Sequence, residues 1–265
     1  MNMMQMLGIV LFFYFISLIF ICLYREQLNT RFWNGVFITA DVLAFFCWNV
    51  AAYHRGWLDK RFMTLDNISP LICTVIPLTY FMKDSIRQAA YSAIACLSFG
   101  MFAAMLISPE HAYLFNYNIE ANFLYTSEAI CHMVCSLFGL YLMQSGQVKP
   151  DFTSWWKSIA FMFSIITFGV VLNVIFHKDF FGMDPYGNYR IYMLDIFGSF
   201  WTTLLAYYLG VFMVLTLGLQ VGQLMCKTKQ KTQSPLLASV ENAEEKEEKP
   251  VAETLCDETA ATISK

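Results

Sequence analysis

The chain has 265 residues, 57% of them hydrophobic and 14% charged, with a formal net charge of −3. Soluble domains carry about 25% charged residues, so folding in water would leave most of the Phe, Leu and Ile side chains nothing to pack against, and the slightly acidic balance excludes nucleic acid as a partner. In lipid, backbone amides are satisfied within helices or closed barrels, and the roughly ten-residue alternating segments of a barrel do not occur.

The expected fold is therefore all-α: a polytopic membrane bundle of about seven helices over residues 1–225, followed by a disordered acidic cytoplasmic tail over 226–265. A helix needs about 20 apolar residues to cross the hydrocarbon. The first run, 4–24, has no Lys or Arg before Arg25 and no small-residue cleavage motif, so it reads as a first span rather than a signal peptide. Further spans are expected at 32–53, 68–82, 86–107, 121–143, 157–176 and 191–225. The third is short and contains Pro70 and Pro77, which predict a broken or kinked helix. From Lys227 onward the chain is rich in Glu, Lys, Ala and Thr without an aromatic residue, a composition that buries too little surface to fold alone.

Basic residues in short loops orient the bundle. One side carries Arg25, Arg31, Lys83, Arg87, Lys149, Lys157, Lys227, Lys229 and Lys231; the other carries Arg55, Lys60, Arg61, Lys178 and Arg190. The richer side is expected to be cytoplasmic. The segment PEHAYLFNYNIE, without Lys or Arg, then lies outside, as does the N-terminus. The expected location is the cell membrane, with membrane lipids as partners.

Polar groups inside membrane helices are costly, about 2.5–3.5 kcal/mol for Asp on insertion scales. The costly groups here are Asp41 and Asn49 in the second span, Cys73 in the third, Glu128 and His132 in the fifth, Asn173 in the sixth and Asp195 in the seventh. Most fall toward the outer leaflet; Asp41 falls nearer the centre. Glu128 and His132 are four residues apart and share a helix face. A carboxylate so placed can orient an imidazole as in a nucleophilic triad, or the pair can simply fix helix packing. Cys73, between two prolines, can be activated as a thiolate beside a His, or act as a small packing residue. Cys131 and Cys135 flank His132 and are read as packing. A metal site needs three or four ligands at close range; His132, Glu128 and Cys73 can supply three, but His111 and His177 look like loop residues. Neither a metal nor a cofactor is expected.

The segments SPLICTVIPLTYF, FGMFAAMLISPE, NFLYTSEAICHMV, NVIF and GNYRIYML resemble, in that order, the YwaF-like integral membrane family with its eukaryotic transmembrane acyltransferase branch. The resemblance covers about residues 35–215 and puts the family's Cys at Cys73, its His at His132, and its Asn positions at Asn173 and at Asn188 with Tyr189. The family's His just before the Cys is absent, since Leu71 and Ile72 stand there. The resemblance implies transfer of a fatty acyl group through a Cys thioester onto a lysophospholipid. The expected roles are Cys73 as nucleophile, His132 as base and Glu128 as its orienter, with Asn49, Asn173, Asn188, Tyr189 and Asp195 around the substrate. Two other readings use the same residues: a transporter or channel with Asp41, Glu128, His132 and Asp195 as ion or proton ligands, and a scaffold without chemistry.

Overall fold

The structure, a computed structural model, describes residues 3–25, 27–28, 30–54, 68–107, 123–177, 180–182 and 199–247; the side chains of 3–4, 101–107, 182 and 226–247 are excepted. These residues form seven α-helices and no strand: α1 Met3–Leu23, α2 Thr30–His54, α3 Ile68–Leu78, α4 Asp84–Ile107, α5 Phe123–Gln144, α6 Phe152–Phe176 and α7 Phe200–Glu247, with a short 3₁₀ turn at Phe180–Gly182. Five of them are long and apolar enough to cross a membrane: Gln5–Leu23, Thr30–His54, Phe123–Gln144, Phe152–Phe176 and Phe200–Met225. The chain divides into two compact units, Met1–Gly222 and Gln223–Lys265. Within the second, helical backbone is described as far as Glu247.

The surface of the first unit carries large apolar side chains in quantity. Phe12, Phe46, Phe168 and Leu205 are each at least 60% exposed, while Asp41, Ser98, Ser136, Ser158 and Asn173 are fully buried. Exposed large apolar groups beside a polar interior identify lipid as the solvent. Because lipid gives helices no hydrophobic reason to associate, close packing and interhelical hydrogen bonds hold them. Tyr14 on α1 meets Ser136 on α5 at 3.0 Å. Asn34 on α2 exchanges amide hydrogen bonds with Gln147 beyond α5 at 3.0 and 3.1 Å. The rings of Phe37 and Tyr141 stack at 5.1 Å.

Helix α5 is the hub. Of its apolar window 72% is buried, against 17–33% for the other candidate spans. It packs on α1, α2, α3 and α4, and that position gives its polar side chains neighbours from several elements.

The third span is shorter than expected, because α3 stops at Leu78 rather than 82. Pro77 has no amide to give the Cys73 carbonyl. After it the chain tightens into turns in which Tyr80, Phe81 and Met82 donate three residues back, to Pro77, Leu78 and Thr79. At about 1.5 Å per residue, the 11 residues of α3 reach only about half-way through a bilayer. Helix α6 starts at Phe152 rather than 157, because Asp151 caps it: its carboxylate accepts from Ser154 N at 2.8 Å. The other end of α6 is also built deliberately. His177 closes it in the left-handed region at φ 51°, and the Phe181 ring occupies the space where a Cβ on Gly169 would stand. Residues 191–198 of the expected seventh span lie outside the described residues.

Candidate functional site

The costly polar groups of α2, α3 and α5 meet in two adjacent clusters. The first surrounds His132. Its Nδ1 is 2.8 Å from the Glu128 backbone oxygen, one turn earlier on α5, and its Nε2 is 2.9 Å from Ser69 Oγ on α3. Trp48 of α2 lies against the ring, with centroids 6.0 Å apart. A carbonyl can only accept, so Nδ1 carries a proton. In neutral imidazole Nε2 then holds the lone pair, and the Ser69 hydroxyl donates to it. The backbone carbonyl therefore sets the tautomer, the task a carboxylate performs in a triad. Ser69 is the second residue of α3, where first-turn amides have no acceptor within the helix.

The second cluster lies one helical turn further along α3 and α5. Cys73 Sγ is 3.5 Å from Cys135 Sγ, and Cys135 Sγ donates to Asp41 Oδ1 at 3.5 Å. Cys131, one turn before Cys135 on α5, is also buried. Asp41, Cys73, Cys131 and Cys135 are all at most 1% exposed. Among the described residues, Asp41 Oδ2 is a buried side-chain oxygen with no hydrogen-bond partner. A carboxylate oxygen, a sulfur and a sulfur from Asp41, Cys73 and Cys135 lie within 4.8 Å of one another.

Cys73, Glu128 and His132 thus sit in one interior region, with the Glu128 backbone holding the ring. Asp41, expected nearer the bilayer centre, joins Cys73 and Cys135. Asn49 donates to the Phe45 carbonyl of its own helix at 2.7 Å. Asn173 is engaged at the end of α6: its Oδ1 accepts from Phe180 N at 2.6 Å and its Nδ2 donates to Phe180 O at 2.9 Å. Asn188, Tyr189 and Asp195 lie outside the described residues.

Sequence reasoning missed two things. Ser69 carries no hydropathy signal, although its place at a helix start, four residues before Cys73, puts it on the same face of α3. The contribution of Cys135 to a shared centre depends on which helices touch. The fold is all-helical among the described residues, with five helices long and apolar enough to cross a membrane around a polar interior. No family model, curated protein or solved structure matches the chain.

Proposed function

We propose that the chain is a multi-pass membrane enzyme that moves a fatty acyl group between lipids through a covalent acyl intermediate on Ser69, with His132 as general base. The observation that carries this reading is the Ser69 Oγ–His132 Nε2 distance of 2.9 Å, with Nδ1 held by the Glu128 carbonyl at 2.8 Å. This geometry meets the requirement for a base, that it lie within hydrogen-bond reach of the proton it takes.

The step balances without a cofactor. Ser69 Oγ attacks the acyl carbonyl carbon while its proton passes to Nε2. The tetrahedral oxyanion is stabilised by the unpaired first-turn amides of α3, Pro70 contributing none. Collapse expels the donor's oxygen, which takes the proton from His132. An acceptor hydroxyl then gives its proton to Nε2 and its oxygen to the acyl carbon, and Ser69 recovers its proton as leaving group. The reaction class is the one the YwaF-like resemblance implies, with the nucleophile one turn before Cys73. An external N-terminus and a cell-membrane location complete the reading, supported by the nine-to-five distribution of loop Lys and Arg.

A fluorophosphonate probe tests it, because attack by Ser69 on phosphorus releases fluoride and leaves a stable adduct. Wild type and Cys73→Ser are expected to label on Ser69, and Ser69→Ala not at all. Labelling of His132→Ala should slow by about 10²–10⁴-fold, the usual contribution of a positioned base. A wild-type protein that never labels removes the Ser69 mechanism. An acyl adduct that hydroxylamine releases and Cys73→Ser abolishes returns the nucleophile to Cys73.

A further inference from the structure

The thiol cluster plays no part in that mechanism, yet it joins three helices at the centre of the bundle. We propose that Asp41, Cys73 and Cys135 form a buried site for a thiophilic divalent cation, with zinc as the best fit.

Three independent features support the assignment. The first is the donor set. Thiolates with one carboxylate favour zinc over the hard cations, which take all-oxygen shells. The second is the geometry. With Zn–S near 2.3 Å and Zn–O about 2.0–2.2 Å, tetrahedral angles put neighbouring sulfurs about 3.7 Å apart and sulfur and oxygen about 3.5 Å apart. The Cys73–Cys135 and Cys135–Asp41 separations are both 3.5 Å. A disulfide would need the sulfurs at about 2.05 Å. The third is Asp41 Oδ2, wholly buried and without a hydrogen-bond partner. A carboxylate oxygen left bare in a protein interior is costly, and a cation beside it removes the deficit.

Charge and protons balance. Binding displaces the thiol protons of Cys73 and Cys135, so two thiolates and one carboxylate meet a doubly positive ion, leaving one negative charge. The expected consequence is structural. The ion ties α2, α3 and α5 together, and so holds Ser69 on α3 opposite His132 on α5 without touching the reacting atoms.

The test uses the full chain in detergent, purified through an affinity tag that contains no histidine. Elemental analysis should find zinc stoichiometric with protein, and a mercurial reagent titrating the thiols of the unmutated protein should release it in step. Cobalt exchange should give a near-ultraviolet thiolate-to-cobalt band and the visible bands of a tetrahedral ion. Cys73→Ser and Cys135→Ser should each weaken cobalt binding by more than about 100-fold, the upper end of the loss when only an outer-shell partner is removed. Cys22→Ser, on α1, should leave it unchanged. Metal-free protein without a thiolate–cobalt band overturns the proposal, as does a Cys73–Cys135 disulfide recovered in its place. An undiminished band in both cysteine variants also overturns it. None of these readouts depends on fluorophosphonate labelling, so the site and the acyl-transfer reading can fail separately.

Discussion

Replacing Gly139 by Ala isolates the packing that holds α5 in place. A Cβ at Gly139 would stand 2.7 Å from the Ile94 backbone oxygen and 3.0 Å from Ser98 Oγ, with Ser98 Cβ closer still. Ordinary contact begins at 3.4 Å, so α4 and α5 must separate by at least about 0.7 Å, and by more at Ser98. The obstacles are a main-chain carbonyl and a Cβ, neither of which can rotate away. Overpacking of this kind costs about 1–3 kcal/mol. Ala gains about 1 kcal/mol over Gly in helix propensity, so the expected net loss is about 0–2 kcal/mol, and the gap to a Gly→Ala change without a clash is the full overpacking cost of about 1–3 kcal/mol. Gly35 on α2 is the matched control: a Cβ there meets nothing within 4 Å, and Gly35→Ala should be neutral or stabilising by up to about 1 kcal/mol. Unfolding by dodecyl sulfate in mixed micelles, followed by tryptophan fluorescence, measures both. Ser98→Gly combined with Gly139→Ala should recover part of the loss, a coupling a double-mutant cycle reads directly. If Gly139→Ala proves as stable as Gly35→Ala, the close approach of α4 and α5 is not a determinant of this fold.

Two further perturbations probe the ends of α6. Asn173→Ala strips the amide that satisfies both Phe180 N and Phe180 O at a fully buried position; the same titration should show a loss of about 1–3 kcal/mol, and Asn173→Asp, which sets a carboxylate oxygen against the Phe180 carbonyl, should lose at least as much. Asp151→Ala removes the cap on Ser154 N and should cost about 0.5–2 kcal/mol, with Asp151→Ser restoring most of it.

What the sequence disclosed, and what it hid, follow from what hydropathy measures. Apolar runs report whether a segment can live in lipid, so α2 and α5 were expected at 32–53 and 121–143 and stand at Thr30–His54 and Phe123–Gln144. Pro77 likewise announced that α3 would break. Hydropathy starts α6 at 157, five residues late, because Lys157 interrupts the apolar run, although Asp151 and Ser154 already spell a cap. Costly groups were legible one at a time: Asp41, Cys73, Glu128 and His132 stand out against their apolar runs. Their partners were not, since pairing depends on which helices are neighbours. Glu128 invited a carboxylate–imidazole pairing, yet the contact with Nδ1 comes from its backbone carbonyl, which any residue at 128 would present. Ser69 was invisible because a hydroxyl at a helix start costs almost nothing in lipid. The two clusters share α3 and α5 but differ in chemistry. One offers nitrogen and oxygen positioned for proton transfer, the other soft sulfur around a bare carboxylate oxygen. A single helical turn separates Ser69 from Cys73, and that turn lets substitutions on α3 distinguish a reaction from the centre that holds its parts together.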